Sequence, residues 1–199
     1  MKINMPLFDS FLNNVAKCYY PTNVLMTDEQ FNNTPETKAF LELGERWGCD
    51  EDIKKLNDVK NKFSSFFGQR PIKINQVPLR ANYHIEIVKE ASSKQSKTTA
   101  IYISFMIPYY LVVNLNHDKE EESKLFNSGL PFKTELDFDY NIPEDEDKFI
   151  QNVMSEFYSY NKFPTKFLDK RISDVYLENS KAEITYRRAF FTEHFRMSI

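Results

Sequence analysis

Glycine is scarce in this chain: Gly44, Gly48, Gly68 and Gly129 are the only four among 199 residues. A phosphate-cradling loop needs clustered glycines so that the backbone can approach the anion. No P-loop or dinucleotide fingerprint can be assembled from these four. The one close pair, Gly44-Glu45-Arg46-Trp47-Gly48, has Arg46 where a nucleophile elbow needs serine. Cysteine is equally sparse, with Cys18 and Cys49 alone. Nothing else suggests a stapled exported scaffold, so the two read as reduced thiols of a cytoplasmic protein. His84, His117 and His194 stand in unrelated contexts, and neither His-x3-His nor Cys-x2-Cys spacing occurs, which excludes the usual zinc patterns.

Long hydrophobic runs are also missing. The longest, Ala100 to Leu115, is interrupted by Ser104, Pro108 and Asn114. It falls short of the roughly 20 residues that a membrane helix needs, and its β-branched and aromatic residues suit buried strand. Met1 to Leu12 has no sustained apolar stretch before Asp9, so no secretory signal is expected. The formal net charge is -3, without the basic surplus of a nucleic-acid binder. The expectation is a protein with no membrane span, no nucleic-acid partner and no cofactor.

What the chain has in quantity is aromatic side chains, Phe 18 and Tyr 11. Each buries a large area, enough together for a dense core in one domain of this length. Thr34-Pro35-Glu36 supplies a capping hydroxyl, a proline at the first helical position and an acid near the positive dipole end. That predicts a helix running to Trp47. Asp50 then caps a second, with Ile53, Leu56, Val59, Phe63 and Phe66 or Phe67 on one face and Gly68 as the stop.

From Arg80 the period changes to two. Tyr83, Ile85 and Ile87 alternate with His84 and Glu86, predicting a strand over Tyr83 to Lys89. A polar link, Ala91 to Lys97, leads to an antiparallel partner at Ala100 to Ile107. Pro108 marks a bend before a third strand to Asn116. A fourth, Thr134 to Tyr140, turns Leu136, Phe138 and Tyr140 inward and Glu135, Asp137 and Asp139 outward. After Pro143 an acidic first turn opens a helix whose apolar face is Phe149 or Ile150, Val153, Met154, Phe157 and Tyr158 or Tyr160. Arg171 to Leu177 reads as strand, Glu178 to Lys181 as a turn, and residues 182–196 as strand or helix.

The predicted fold class is α+β: a helical N-terminal part, a mostly antiparallel central sheet and a C-terminal helix packed on it. It forms one domain over 1–199, helical over 30–68, sheet over 80–141, and helix plus short strands over 145–196.

Several motifs dissolve on inspection. His84-Ile85-Glu86 matches half of a zinc-deaminase signature, but Pro-Cys-x-x-Cys is missing and the pair reads as a surface pair. Cys49 stands before the expected cap of a helix, which lowers a thiol pKa, but Asp50, Glu51 and Asp52 oppose the thiolate. Asp137-x-Asp139-x-Asn141 opens like a calcium loop, yet Ile142 replaces the turn glycine and Lys148 the bidentate glutamate.

An acidic band remains. Between 117 and 159, Lys119, Lys124, Lys133 and Lys148 stand against twelve acids. Glu135, Asp137 and Asp139 share one strand face at spacings of about 7 Å. Such carboxylates can be a solvated strand face that discourages edge pairing, a surface for a basic partner, or metal holders in a hydrolase. The expected partner surface comprises Glu135, Asp137, Asp139, Glu144, Asp145 and Asp147. In general profile the small, acidic, aromatic-rich chain resembles bacterial immunity and antitoxin proteins. The resemblance is one of composition, and implies a non-enzymatic module with a basic protein partner. The alternative is a metal-dependent hydrolase built on Glu135, Asp137 and Asp139. The sequence assigns no oligomeric state.

Overall fold

A computed structural model describes residues 4–25, 30–47, 49–75, 82–92, 95–118, 138–176 and 183–192. The chain opens with a helix that the periodicity did not reveal. Helix α1, Met5–Tyr19, is capped by Asn4, whose side chain accepts from the Leu7 amide, and it buries Phe8, Leu12 and Ala16. Their spacing of four is helical, but polar residues and Pro6 break up the surrounding pattern. Helix α2, Pro35–Arg46, begins at the Thr34 cap, and Trp47 ends it one residue before Gly48. Helix α3, Asp50–Phe67, buries Leu56, Val59, Phe63 and Phe67 along one stripe. Gly68 stops it at φ 66°, a conformation that favours glycine.

Five strands follow in one sheet of order β1-β2-β3-β4-β5. They are β1 Ile72–Asn75, β2 Asn82–Ala91, β3 Gln95–Ser104, β4 Tyr109–Asp118 and β5 Asn161–Lys162. All pairings are antiparallel except β4 with β5. The sequence carried no signal for β1, whose four residues lie at the sheet edge, too short for a period to show. Both β2 and β3 extend into the predicted link, where Ser92 and Gln95 close a tight turn (Ser92 N to Gln95 O, 2.8 Å). In turn β3 stops at Ser104, three residues early. There the Ser104 hydroxyl accepts from the Met106 and Ile107 amides, bending the chain ahead of the exposed Pro108.

Helix α4, Glu144–Tyr158, packs with α3 on one face of the sheet. That layer joins Leu56, Val59 and Phe63 to Ile85, Ile101, Val112, Ile150, Val153 and Met154. The register places Ile85 opposite Ile101 and Ile101 opposite Val112, so the three strands present one apolar row to the two helices. The other face is covered by α1, α2 and the C-terminal chain, with Phe8, Leu12, Phe40, Phe163, Phe167 and Phe190 around Ala100, Tyr102, Leu111 and Val113. The tail forms a small antiparallel pair, β6 Arg171–Tyr176 with β7 Glu183–Thr185. A π-helical turn over Arg188–Thr192 follows, so residues 183–192 are part strand and part helix. Two buried side chains secure that turn: Tyr20 donates to the Ala189 carbonyl (2.7 Å) and Asn82 to the Phe191 carbonyl (2.6 Å). The α+β class with a mostly antiparallel sheet is therefore what the chain forms.

Candidate functional site

The described acids of the band after β4 lie mainly where the chain meets β4 at Asp139 and where α4 begins. Glu135, Asp137 and most of the predicted strand Thr134 to Tyr140 lie outside the described residues. Its last three residues alternate as expected, with Asp139 exposed and Phe138 and Tyr140 half-buried. Asp139 bridges to Asn114 at the open edge of β4, through Asn114 N to Asp139 O at 2.7 Å and the reverse bond at 3.1 Å. Its carboxylate accepts from both the backbone amide (2.9 Å) and the side-chain amide (2.8 Å) of Asn141, a local turn that fixes the carboxylate's direction.

Four acids then fill the first turn of α4, where the helix dipole favours negative charge. The helical period sends them to different surroundings. Glu144 is exposed and pairs with Lys148 (2.6 Å), while Asp145 is exposed with no ion pair among the described residues. Glu146 sits one turn before Ile150 on the buried stripe and turns inward, only 8% exposed. Lys89 Nζ lies 2.8 Å from its Oε2 and Arg70 3.1 Å from its Oε1. The Lys89 contact lacks hydrogen-bond alignment and is held by charge. Asp147, on the other flank, is half-buried against Lys162 (2.7 Å).

A polar network ties this turn to the sheet. Lys89 is the extra residue of a bulge between Val88 and Glu90, and its ammonium also reaches Asn114 Oδ1 (3.2 Å). Thr99 donates to the same oxygen (2.9 Å), while the Asn114 side-chain amide donates to the Asn141 carbonyl (2.8 Å). The structure thus brings Asp139, Glu144 and Asp145 together as an exposed rim on a fixed base, with Asp147 neutralised beside them. Sequence reasoning missed Arg70, Lys89, Asn114 and the inward Glu146. Glu146 had a legible signal, its place on the 146, 150, 153 stripe, whereas nothing in the sequence marks the bulge that aims Lys89.

Two other clusters carry chemistry-bearing groups. On the opposite face His84 is not the expected surface residue: it is buried, its ring stacked on Tyr102 (4.4 Å, 11°) and Nε2 3.6 Å from Glu86. Strand alternation puts both residues away from α3, but the C-terminal turn covers that face, so alternation did not mean exposure. At the far end of α4, Tyr83 and Tyr158 are buried near Asp52. Burial, then the charge of Asp52, pushes the Tyr83 hydroxyl far above the ordinary phenol range, and Tyr158 rises likewise through burial. Tyr160, beside them, is pushed up to about 12 by burial and by Asp52. Neutral at physiological pH, these hydroxyls cannot serve as bases there. Cys49 proves to be the cap residue of α3 itself, and its Sγ lies 3.2 Å from Asp52 Oδ2. Among the described residues no three His, Cys, Asp or Glu side chains form a group that could hold a metal ion. No described helix is long and apolar enough to cross a membrane. Compared with known protein families, curated proteins and solved structures, the chain matches none.

Proposed function

We propose that the protein is a non-enzymatic binding module whose acidic rim contacts a basic protein partner, in the manner of the immunity and antitoxin proteins its composition resembles. One observation carries this reading. Asp139 and Asp145 stand exposed without an ion pair among the described residues, while the neighbouring cations Arg70, Lys89 and Lys162 are engaged by Glu146 and Asp147. Among the described residues five acids here (Asp139, Glu144, Asp145, Glu146 and Asp147) face four cations (Arg70, Lys89, Lys148 and Lys162), so the rim keeps a net negative charge, whose field steers a positive partner and is screened beyond about 8 Å at physiological salt. A hydrolase built on Glu135, Asp137 and Asp139 has no observation in its favour, since two of those residues lie outside the described chain.

The test is the double variant Asp139→Lys with Asp145→Lys. Both residues are exposed, so the fold should be retained, with a local cost of about 1–2 kcal/mol for the lost Asn141 turn bonds and the reversed charge at the helix start, which circular dichroism and urea denaturation check before binding is measured. A partner captured by the parent protein from the source lysate should associate about tenfold more slowly with the variant, and with weaker salt dependence. An unchanged association rate at low and high salt would reject the rim as a binding surface.

A further inference from the structure

Helices α3 and α4 lie side by side on the sheet, and their outer seam has features that the rim does not explain. Lys62 and Glu156 join the two helices across it (3.2 Å). Along the seam α4 presents Asp145, Phe149, Asn152 and Glu156, spaced i, i+4, i+7 and i+11 on one stripe. A shallow groove runs beside it, lined by Asp58, Asn61, Lys62, Ser65 and Phe157. Next to Ser65, Phe66 stacks flat on Phe149, with centroids 4.0 Å apart and planes 9° apart. Phe66 nevertheless stays 41% exposed, and among the described residues only Met5, Leu7 and Phe11 are other large apolar side chains left so open. Phe63 and Phe67 already fill the core positions of this turn, so Phe66 is not needed there.

Charge decides what the stack would accept. Asp58 and Asp145 border the seam, both exposed and neither in an ion pair among the described residues, while Glu156 neutralises Lys62. With Arg70 and Lys89 counted on Glu146, four acids (Asp58, Asp145, Glu146 and Glu156) stand against three cations (Lys62, Arg70 and Lys89), so the charge beside the seam is net negative. Stacked phenyl faces add the negative side of their quadrupoles, which favours a cation. The same cluster already holds one: the Arg70 guanidinium lies 5.6 Å from the centre of the Phe67 ring. Guanidinium suits such a seat better than ammonium, because it is planar, weakly hydrated and able to pair with a carboxylate at the same time.

We infer that this seam is the docking groove for an arginine-bearing segment of the basic partner, its guanidinium seated on the Phe66–Phe149 stack and paired with Asp145. The inference rests on the basic-partner reading and adds to the rim an aromatic seat, Phe66 and Phe149, which shares Asp145 with it.

The probe is a capped peptide of alternating glycine and arginine, titrated into the labelled full-length chain and followed by the ring resonances of Phe66 and Phe149. A peptide with citrulline in place of arginine keeps the shape and removes the charge. Saturable ring shifts should appear with arginine and not with citrulline. Phe66→Leu, which keeps apolar bulk without the π face, should weaken binding about threefold, and Asp145→Asn by a similar factor. Equal shifts from both peptides, or full affinity in Phe66→Leu, would overturn the inference. So would ring shifts that depend on protein concentration without peptide, which would mean that a second copy covers the seam. Silent rings with shifting Asp139 and Glu144 amides would sink the seam and leave the rim standing. Ring shifts with unchanged affinity in Asp139→Lys would support the seam and count against the rim.

Discussion

At its N-terminal end α4 buries Glu146 between Lys89 and Arg70, whereas at its C-terminal end it buries Tyr158 near Tyr83 with neither hydroxyl hydrogen-bonded among the described residues. Both ends press polar atoms against the same sheet face, and the difference lies in charge. A buried carboxylate left alone costs several kcal/mol, so the first end has gathered two cations around it, one of them, Lys89, held in turn by Asn114, which also accepts from Thr99. A neutral hydroxyl costs about 1–3 kcal/mol when unpaired, little enough for aromatic packing to offset. One end is therefore held by partners and the other by ring contacts. That contrast predicts opposite responses to removing a polar group.

The largest effect should come from Lys89→Met, which keeps the aliphatic stem and removes the ammonium. Glu146 would then depend on Arg70 alone, whose side chain is 41% exposed and holds the carboxylate from the solvent side. Stranding a buried charge costs about 3–5 kcal/mol, and the remaining Arg70 pair puts the expected loss near the lower figure, about 3 kcal/mol. Urea denaturation of the variant and the parent measures it. A loss below about 1 kcal/mol would mean that the network at this end is surface-like. Adding Glu146→Leu should recover part of the loss, because the carboxylate that needed Lys89 is gone.

How much of this was legible follows from what each signal depends on. α2, α3 and α4 were readable because each has a local start signal and an apolar stripe, as Thr34-Pro35 and the 56, 59, 63 row show. Strand β2 was readable because its apolar residues alternate, and β3 and β4 because one apolar run rich in β-branched and aromatic residues, broken at Pro108, suits two buried strands. Helix α1 was not, since Phe8, Leu12 and Ala16 are only three buried positions among polar ones and their burial depends on the distant Phe163 and Phe167. His84 failed for the same reason: its burial comes from tertiary packing on that face, where its ring stacks on Tyr102 of β3 and the turn over Arg188–Thr192 packs against β2. At the rim, the exposure of Asp139 was legible from alternation, but the split of the acidic turn was not read. Four consecutive acids look alike as charge, and only the helical period, 100° per residue, separates Glu146 from Asp145.

The tyrosine end should reveal itself in alkali. Folding raises the pKa of Tyr83 and Tyr158 above the ordinary 10.0, chiefly by burial. Above pH 10 the unfolded chain has released these protons while the folded chain keeps them, so the unfolded state binds fewer. Stability from these groups is thus complete below pH 10 and declines as pH rises. Each contributes a slope of about 1.4 kcal/mol per pH unit. Tyr160 adds to the decline until pH reaches about 12. Denaturation midpoints at successive pH values, with phenolate absorbance followed in parallel, test this. Tyr158→Phe should flatten the slope by one group, and an unaltered slope would mean that the hydroxyl ionises freely.

The smallest effect, and the one that separates the two ends most sharply, is the sign of Tyr83→Phe and Tyr158→Phe at neutral pH. Both hydroxyl oxygens are sealed from solvent and lack a hydrogen-bond partner among the described residues, so folding strips their water and these residues return nothing. The rings do the packing: Tyr83 meets Phe105 edge-on at 4.7 Å, and Lys55 lies 4.5 Å over the ring of Tyr158. Phenylalanine keeps both contacts, so each substitution should stabilise the protein by about 1 kcal/mol, reduced by whatever small void the lost oxygen leaves. Urea denaturation followed by circular dichroism would measure the change, and fluorescence of Trp47, the one tryptophan, would report the local packing from its stack on Phe105. Stabilisation here beside destabilisation in Lys89→Met would establish the contrast. A loss of 1 kcal/mol or more in either tyrosine variant would mean that its hydroxyl is paired in solution, and both ends of α4 would then be held in the same way.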